Sequence, residues 1–271
     1  MTQHRPIWAP DEVEIEKPST ARMYDFYLGG SHNFAADRQL ASRTIEAWPD
    51  VPHLCQANRA FLRRSVNQLA SIGVDQFLDL GSGIPTAGNV HEVVHAANPG
   101  ARVVYVDADA VAIAHSKALL AGNQATAVIE ADLRQPQKIL DHDTTRRLID
   151  LSQPAGLLLV SVLPFIPDAE DPWQIAATLR DALAPGSYLV LAHATDDSRP
   201  VVAQAAEKVY NHSVSAQARM RSRGDILRFF DGFELVDPGL VHIPRWRPDP
   251  PADVTGDAGR FWVLAGVARK A

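Results

Sequence analysis

The residues best suited to chemistry stand in three short groups: Asp79 with Gly81-Ser82-Gly83, then Asp107, then Asp132 with Leu133. Gly81 and Gly83 remove side chains where the chain turns, which lets backbone N–H groups come close to a ligand. Each acid also has an ordinary alternative duty. Asp107 or the nearby Asp109 could cap a helix, and Asp132 could close a turn. Their order argues for a ligand: all three groups fall at or just past the ends of successive predicted strands. Asp107 also lies near the spacing of about 20 residues at which an acid contacts a ribose diol.

The elements that must position these groups alternate along the chain. Apolar strands are predicted at residues 76–80, 102–106, 125–130, 157–163 and 188–193. Helical patterns at 88–97, 110–120, 136–141 with 144–151, and 172–183 separate them. Strands rich in Val, Ile and Leu that alternate with helices predict a parallel sheet covered on both faces. In such a sheet, ligands bind beyond the carboxyl ends of the strands. Helical patterns at 201–219 and 221–230 follow, then strands at 233–236 and 260–268. The Pro-, Asp- and Gly-rich stretch 238–259 reads as a long loop partly ordered by Trp246.

Residues 1–17 read as a mobile or loosely packed arm. Three helical patterns precede the sheet, at 21–28, 35–47 and 52–72. The first is capped by Ser19 or Thr20 and stopped by Gly29-Gly30; the third carries Leu54, Phe61, Leu62, Val66 and Leu69 on one face. This region is too apolar for a linker. Residues 18–72 are therefore expected to form a helical cap on a domain spanning 73–271.

The 46% hydrophobic and 21% charged composition is that of an ordinary globular protein. A net charge of -6 gives no overall basic field for nucleic acid or anionic membrane, and Arg219, Arg221 and Arg223 read as a solvated face. Cys55 is the only cysteine, which excludes an internal disulfide and a cysteine-rich metal site. Asp141-His142-Asp143 reads as a surface turn, so no metal is expected. No apolar run reaches the ~20 residues of a membrane-spanning helix, and the acid-bearing N-terminus is unlike a secretory signal. The expected location is the cytoplasm, with no nucleic-acid or membrane partner; the oligomeric state is not legible.

Details at the first glycine turn separate two cofactors. A dinucleotide fingerprint wants a small residue three places after Gly83, where Thr86 stands, and Pro85 interrupts the turn. Asp79 would face a pyrophosphate unfavourably, whereas a cationic sulfonium with an α-amino group welcomes a carboxylate. S-adenosylmethionine is favoured over NAD.

The stretch from Phe77 to Leu133 is similar to class I S-adenosylmethionine-dependent methyltransferases. Phe77-Leu78-Asp79-Leu80-Gly81-Ser82-Gly83 looks like their first motif, Val104-Tyr105-Val106-Asp107 like the second, and Ala131-Asp132-Leu133 like the third. More narrowly, nearly the whole chain resembles the bacterial S-adenosyl methyltransferase family, type 19, formerly a domain of unknown function. The N-terminal stretches that carry this are Arg22-Met23-Tyr24-Asp25-Phe26-Tyr27-Leu28-Gly29-Gly30, Asn33-Phe34-Ala35-Ala36-Asp37 and Ala57-Asn58-Arg59-Ala60-Phe61-Leu62. Pro85 to Glu92, Leu183 to Leu189 and Phe230 to Val236 extend the match.

The resemblance implies an α/β fold: a doubly wound, Rossmann-like seven-stranded sheet with one antiparallel strand, plus the N-terminal helical cap. It also implies that Gly81 and Gly83 approach the methionine portion, Asp107 the ribose hydroxyls and Asp132 the adenine amino group, with Leu133 beside the ring. The candidate cofactor contacts are Asp79, Gly81, Ser82, Gly83, Asp107, Ala108, Asp132, Leu133 and Ser161, with Arg22, Tyr24, Asn33 and Arg59 from the cap. The arginines suit the carboxylate of the methionine end. Methyl transfer needs alignment more than a conspicuous acid or base; the candidates for a catalytic group are His193 and Tyr24. One departure from the family's pattern stands after the fourth strand, where relatives commonly carry His and this chain has Pro164. The expected function is methylation of a small molecule. The alternatives are a non-catalytic protein that binds S-adenosylmethionine or its demethylated product and, less favoured, an NAD-dependent oxidoreductase.

Overall fold

In the computed structural model, residues 6, 9–11, 13–85, 88–197, 218–249 and 257–271 are described. Most of the helical pattern expected at 201–219 lies outside them, as do Thr86 and most of residues 1–8.

Five parallel strands form the sheet's main body: β1 (Gln76–Leu80), β2 (Arg102–Asp107), β3 (Thr126–Glu130), β4 (Gly156–Val160) and β5 (Tyr188–Ala194). They are followed by β6 (Phe233–Leu235), β7 (Val241–His242) and β8 (Val263–Lys270). The sheet runs β3-β2-β1-β4-β5-β8-β6, and β8 is antiparallel to both β5 and β6. Strand order reverses between β1 and β4. That junction opens the crevice in which doubly wound sheets bind ligands.

The period of two along each strand explains how both faces are covered. Leu78, Leu80, Val104, Val106, Leu157 and Leu159 point into one core layer. Phe77, Val103, Tyr105, Leu158 and Val190 point into the other. The first layer packs on helices that include α6 (Pro136–Asp141), α7 (Asp143–Leu148) and α8 (Pro172–Asp181). The second packs on α3 (Val51–Ser71) and α4 (Val90–Ala97). The fifth helix, α5 (Ala110–Leu119), follows β2.

Three details differ from the sequence expectation. The fourth strand stops at Val160, because Ser161 takes a left-handed backbone with φ of 60°, and a 3-10 turn follows at Leu163–Phe165 with Pro164 in its first turn. The stretch expected as a pure loop contains β7, whose two residues pair with β8 on the edge that β6 also uses. Among the described residues the sheet thus has eight strands, and the last begins at Val263 rather than residue 260, after a 3-10 turn at Ala258–Phe261. Trp246 does order the described part of that stretch: it is fully buried, with its ring edge-on to Phe61 at 5.2 Å.

Before the sheet stand α1 (Thr20–Tyr27) and α2 (Ala35–Ala47). Met23, Tyr27, Leu40 and Ala41 make a small core there with Val51 and Cys55 of α3. Further along α3, Phe61, Leu62, Val66 and Leu69 belong to the sheet's core. The turn between α1 and α2 depends on Asp25, whose Oδ2 accepts from His32 N at 2.9 Å and Asn33 Nδ2 at 2.8 Å. Gly30 lies against that carboxylate, and a Cβ there would overlap it. Gly30→Ala is expected to destabilise the fold by about 2–4 kcal/mol, since the buried carboxylate has little room to retreat. Urea unfolding checks this; an unchanged midpoint would mean that Asp25 moves freely.

Candidate active site

The turn after β1 is built by backbone conformation. Gly81 has φ of 73° and Gly83 φ of 68°, values that a side chain disfavours. The Gly81 N–H donates to Val106 O at 2.8 Å, and the Gly83 N–H donates to Asp107 Oδ2 at 2.7 Å. A Cβ on Gly81 would overlap the side chain of Val162, so glycine there lets the loops after β1 and β4 meet.

Asp107 does not cap the next helix. Its Oδ1 accepts from Asp109 N at 2.8 Å, and Asp109 caps α5 by accepting from Val111 N and Ala112 N. Backbone N–H groups thus hold the Asp107 carboxylate where it lines the cavity described below. Burial pushes its pKa up, and the backbone N–H donors of Asp109 and Gly83 pull the other way. After β3, Asp132 accepts from Arg134 N at 2.9 Å and pairs with Arg134 Nη1 at 3.2 Å. Arg134 also reaches Glu170 at 2.5 Å.

Together with α1 and α3, these loops enclose a cavity of about 410 Å³. Eleven of the residues expected at a site line it: Tyr24, Arg59, Asp79, Gly81, Ser82, Gly83, Asp107, Ala108, Asp132, Leu133 and Ser161. Asn58, Arg134, Val162, Phe165 and Ile166 also line it without having been singled out as cofactor contacts. Asn58 sits beside Arg59 in sequence and on the same end of α3. Phe165 and Ile166 follow the strand end too irregularly for a periodicity argument to find them.

Arg22, Asn33 and His193 are not among the lining residues. Arg22 is buried and pairs with Asp37 at 2.9 Å and Asp109 at 3.5 Å, while Ser19 Oγ also donates to Asp109. It fastens α1 to α2 and to the loop after β2. Asn33 spends its amide on Asp25 and on Gly30 O at 3.0 Å.

His193 is fully buried and stacks on Phe229 at 5.6 Å. Arg221 Nη1 lies 2.7 Å from its Nε2, and Ala194 O lies 2.7 Å from its Nδ1. A guanidinium can only donate, so Nε2 accepts and the proton sits on Nδ1. Burial and the Arg221 charge hold the ring pKa down to about 3. His193 is thus a neutral structural partner of Arg221 and no base. Arg221, expected on a solvated face, is itself buried and donates to Leu163 O at 3.1 Å and Ile166 O at 2.7 Å. Tyr24 is no base either: burial raises its phenol pKa, so the hydroxyl stays protonated. Burial likewise raises the pKa of Cys55, the inert thiol beside it.

The electrostatic character of the cavity rests on Asp79 and Arg59. Burial pushes the Asp79 carboxyl up to about 7, with Arg59 opposing and Asp107 adding to the shift. Among the described residues, nothing donates a hydrogen bond to Asp79, and no ion pair joins it to Arg59. The one hydrogen bond of Arg59's side chain among them is a long 3.4 Å contact with Asn89. A carboxyl group and a guanidinium thus face one cavity, coupled through space but joined by no ion pair among the described residues. Such a pair suits a ligand that carries both an ammonium and a carboxylate.

Comparison with known proteins decides between the cofactors. The model of the S-adenosyl methyltransferase family matches residues 6–271. The chain belongs to that family. It is an S-adenosylmethionine-dependent methyltransferase, and neither the NAD-dependent nor the non-catalytic alternative gains support. A crystal structure of a candidate methyltransferase from Thermobifida fusca is similar at 42% identity and a TM-score of 0.91, covering 98% of this chain and 99% of that one. A DUF574 family protein from Streptomyces avermitilis is similar at 34% identity and a TM-score of 0.91, covering 95% and 100%. An O-methyltransferase family protein from Burkholderia thailandensis shares the fold at 13% identity and a TM-score of 0.53, over 94% of this chain and 65% of that one. No curated protein matches the chain. Among the described residues, no helix is long and apolar enough to cross a membrane, and no group of His, Cys, Asp and Glu is placed to hold a metal ion.

Proposed function

We propose that this methyltransferase binds its cofactor with the methionine end between Asp79 and Arg59, and passes the methyl to a small-molecule acceptor. The observation that carries this reading is that Asp79 and Arg59 line one cavity with no ion pair between them among the described residues: Asp79 takes the ammonium, and Arg59 takes the carboxylate. Asp107 receives the ribose hydroxyls, Asp132 the adenine amino group, and Leu133 lies beside the ring; Gly81, Ser82, Gly83 and Ala108 supply the backbone walls. The cofactor, when bound, supplies a methyl already activated on a sulfonium. The chain's own part is to hold the reacting groups in line and keep water out. Residues 18–72 act as the cap over a cofactor domain of residues 73–271. The net charge of -6, which gives no overall basic field to attract a polyanion, supports a metabolite acceptor over a nucleic acid.

Calorimetric titration with S-adenosylmethionine, its demethylated product S-adenosylhomocysteine and NAD tests the reading. Binding of both sulfur ligands, but not NAD, is expected. Asp107→Ala should weaken S-adenosylhomocysteine by about 2 kcal/mol, the size of a lost hydrogen bond to a charged group. Unchanged affinity in that variant would remove Asp107 from the ribose site.

A further inference from the structure

A single chain of side-chain hydrogen bonds crosses the cavity wall nearest β4, and its polarity is fixed by one backbone carbonyl. Tyr24 Oη lies 3.1 Å from Cys55 O, which can only accept, so the phenol must donate there. Asn58 therefore approaches Tyr24 with its NH2 group, at 3.0 Å, and its Oδ1 is left for Ser161 Oγ at 2.9 Å. Each proton points the same way, from Ser161 through Asn58 and Tyr24 to the Cys55 carbonyl. Ser161 consequently turns only lone pairs toward the cavity. Its backbone is held at φ of 60°, a left-handed conformation that a residue with a side chain disfavours.

Two consequences follow for whatever reacts beside this wall. A group bearing negative charge, such as a carboxylate or phenolate, meets lone pairs and is repelled. A neutral hydroxyl can donate to Ser161 but cannot lose its proton there, because the chain ends on an amide carbonyl that takes none. An amine meets neither obstacle: it donates N–H to Ser161 Oγ and attacks through its own lone pair.

Resting on the cofactor reading above, we propose that the methyl acceptor is an amine, and that Ser161, oriented by Asn58 and Tyr24, selects it. In the transfer, the nitrogen lone pair forms the new N–C bond as the C–S bond breaks with its electron pair to sulfur. The extra proton stays on nitrogen and leaves to water afterwards.

Sinefungin tests this without turnover, because it places an amine-bearing carbon where the methyl and sulfur stand in the cofactor. Calorimetry should show wild-type protein preferring sinefungin to S-adenosylhomocysteine by about tenfold or more, the worth of a charge-assisted hydrogen bond. Ser161→Gly, which keeps the left-handed backbone without strain, should erase most of that preference. Asn58→Leu, which frees the Ser161 hydroxyl to turn, should reduce it too. Equal preference in wild type and both variants would overturn the proposal. So would label transfer from S-adenosylmethionine to phenols or carboxylic acids, but not amines, in a mixed metabolite pool. Failure of wild type to bind either ligand would instead overturn the cofactor reading itself.

Discussion

Affinity for S-adenosylmethionine is expected to fall as pH drops through about 7, and Asp79→Asn is expected to remove that dependence. Burial raises the Asp79 pKa to about 7, so the empty site takes up a proton near neutrality. A cationic ammonium binds the carboxylate form, and the protonated form must first release its proton. Well below pH 7, affinity should therefore drop about tenfold per pH unit. Titrations in two buffers of different ionisation enthalpy would show proton release on binding. A flat pH profile in the wild type would refute the role of Asp79. The same shift acts on folding with a definite sign. A carboxyl whose pKa is raised by folding stabilises fully below its unfolded value, near 4, and loses that contribution as pH rises through about 7. The empty Asp79→Asn protein should be more stable than wild type at about pH 8 by on the order of a few kcal/mol, with the gap closing toward pH 4.

Arg221→Met is expected to cost about 3 kcal/mol of stability and to weaken cofactor binding as well. The loss comes mainly from two acceptors left buried without a donor, Ile166 O and His193 Nε2, while Leu163 O keeps only the Ile166 N–H at 3.1 Å. Asp168 contributes less, because its carboxylate is 44% exposed. The arginine also stands over the rings of Trp173 and Phe229, at 5.2 and 5.8 Å. Its carbonyl partners belong to the segment that carries Phe165 and Ile166, so losing it loosens one cavity wall. Urea unfolding and S-adenosylhomocysteine titration measure the two effects. An unchanged unfolding midpoint would show that the network contributes nothing.

Much of this fold can be read from the chain because period-two strands and amphipathic helices state their own burial. Phe77 and Leu78 already belong to opposite faces by position alone. The placement of the three acidic groups at strand ends was legible for the same reason, since the end of a strand is visible in sequence. His193 misleads because its partner is distant in sequence and comes from beyond the fifth strand; nothing local announces that Arg221 will occupy its ring nitrogen. Arg22 misleads in the opposite way: its motif is real, but Asp37 and Asp109 claim its guanidinium before a ligand can. Two-residue β7 is too short to show a period, and exists because β8 extends past β6 and leaves an edge to pair.

The position of α3 also bears on how a molecule enters and leaves. One helix carries Asn58 and Arg59 on the cavity and Phe61, Leu62, Val66 and Leu69 in the core beneath the sheet. It cannot swing aside as a lid without pulling the core apart. Elsewhere at the site, Arg134 lines the cavity and pairs with Glu170 through side chains that are 44% and 41% exposed. A solvated ion pair is cheap to break. The helical side of the site is thus a fixed wall.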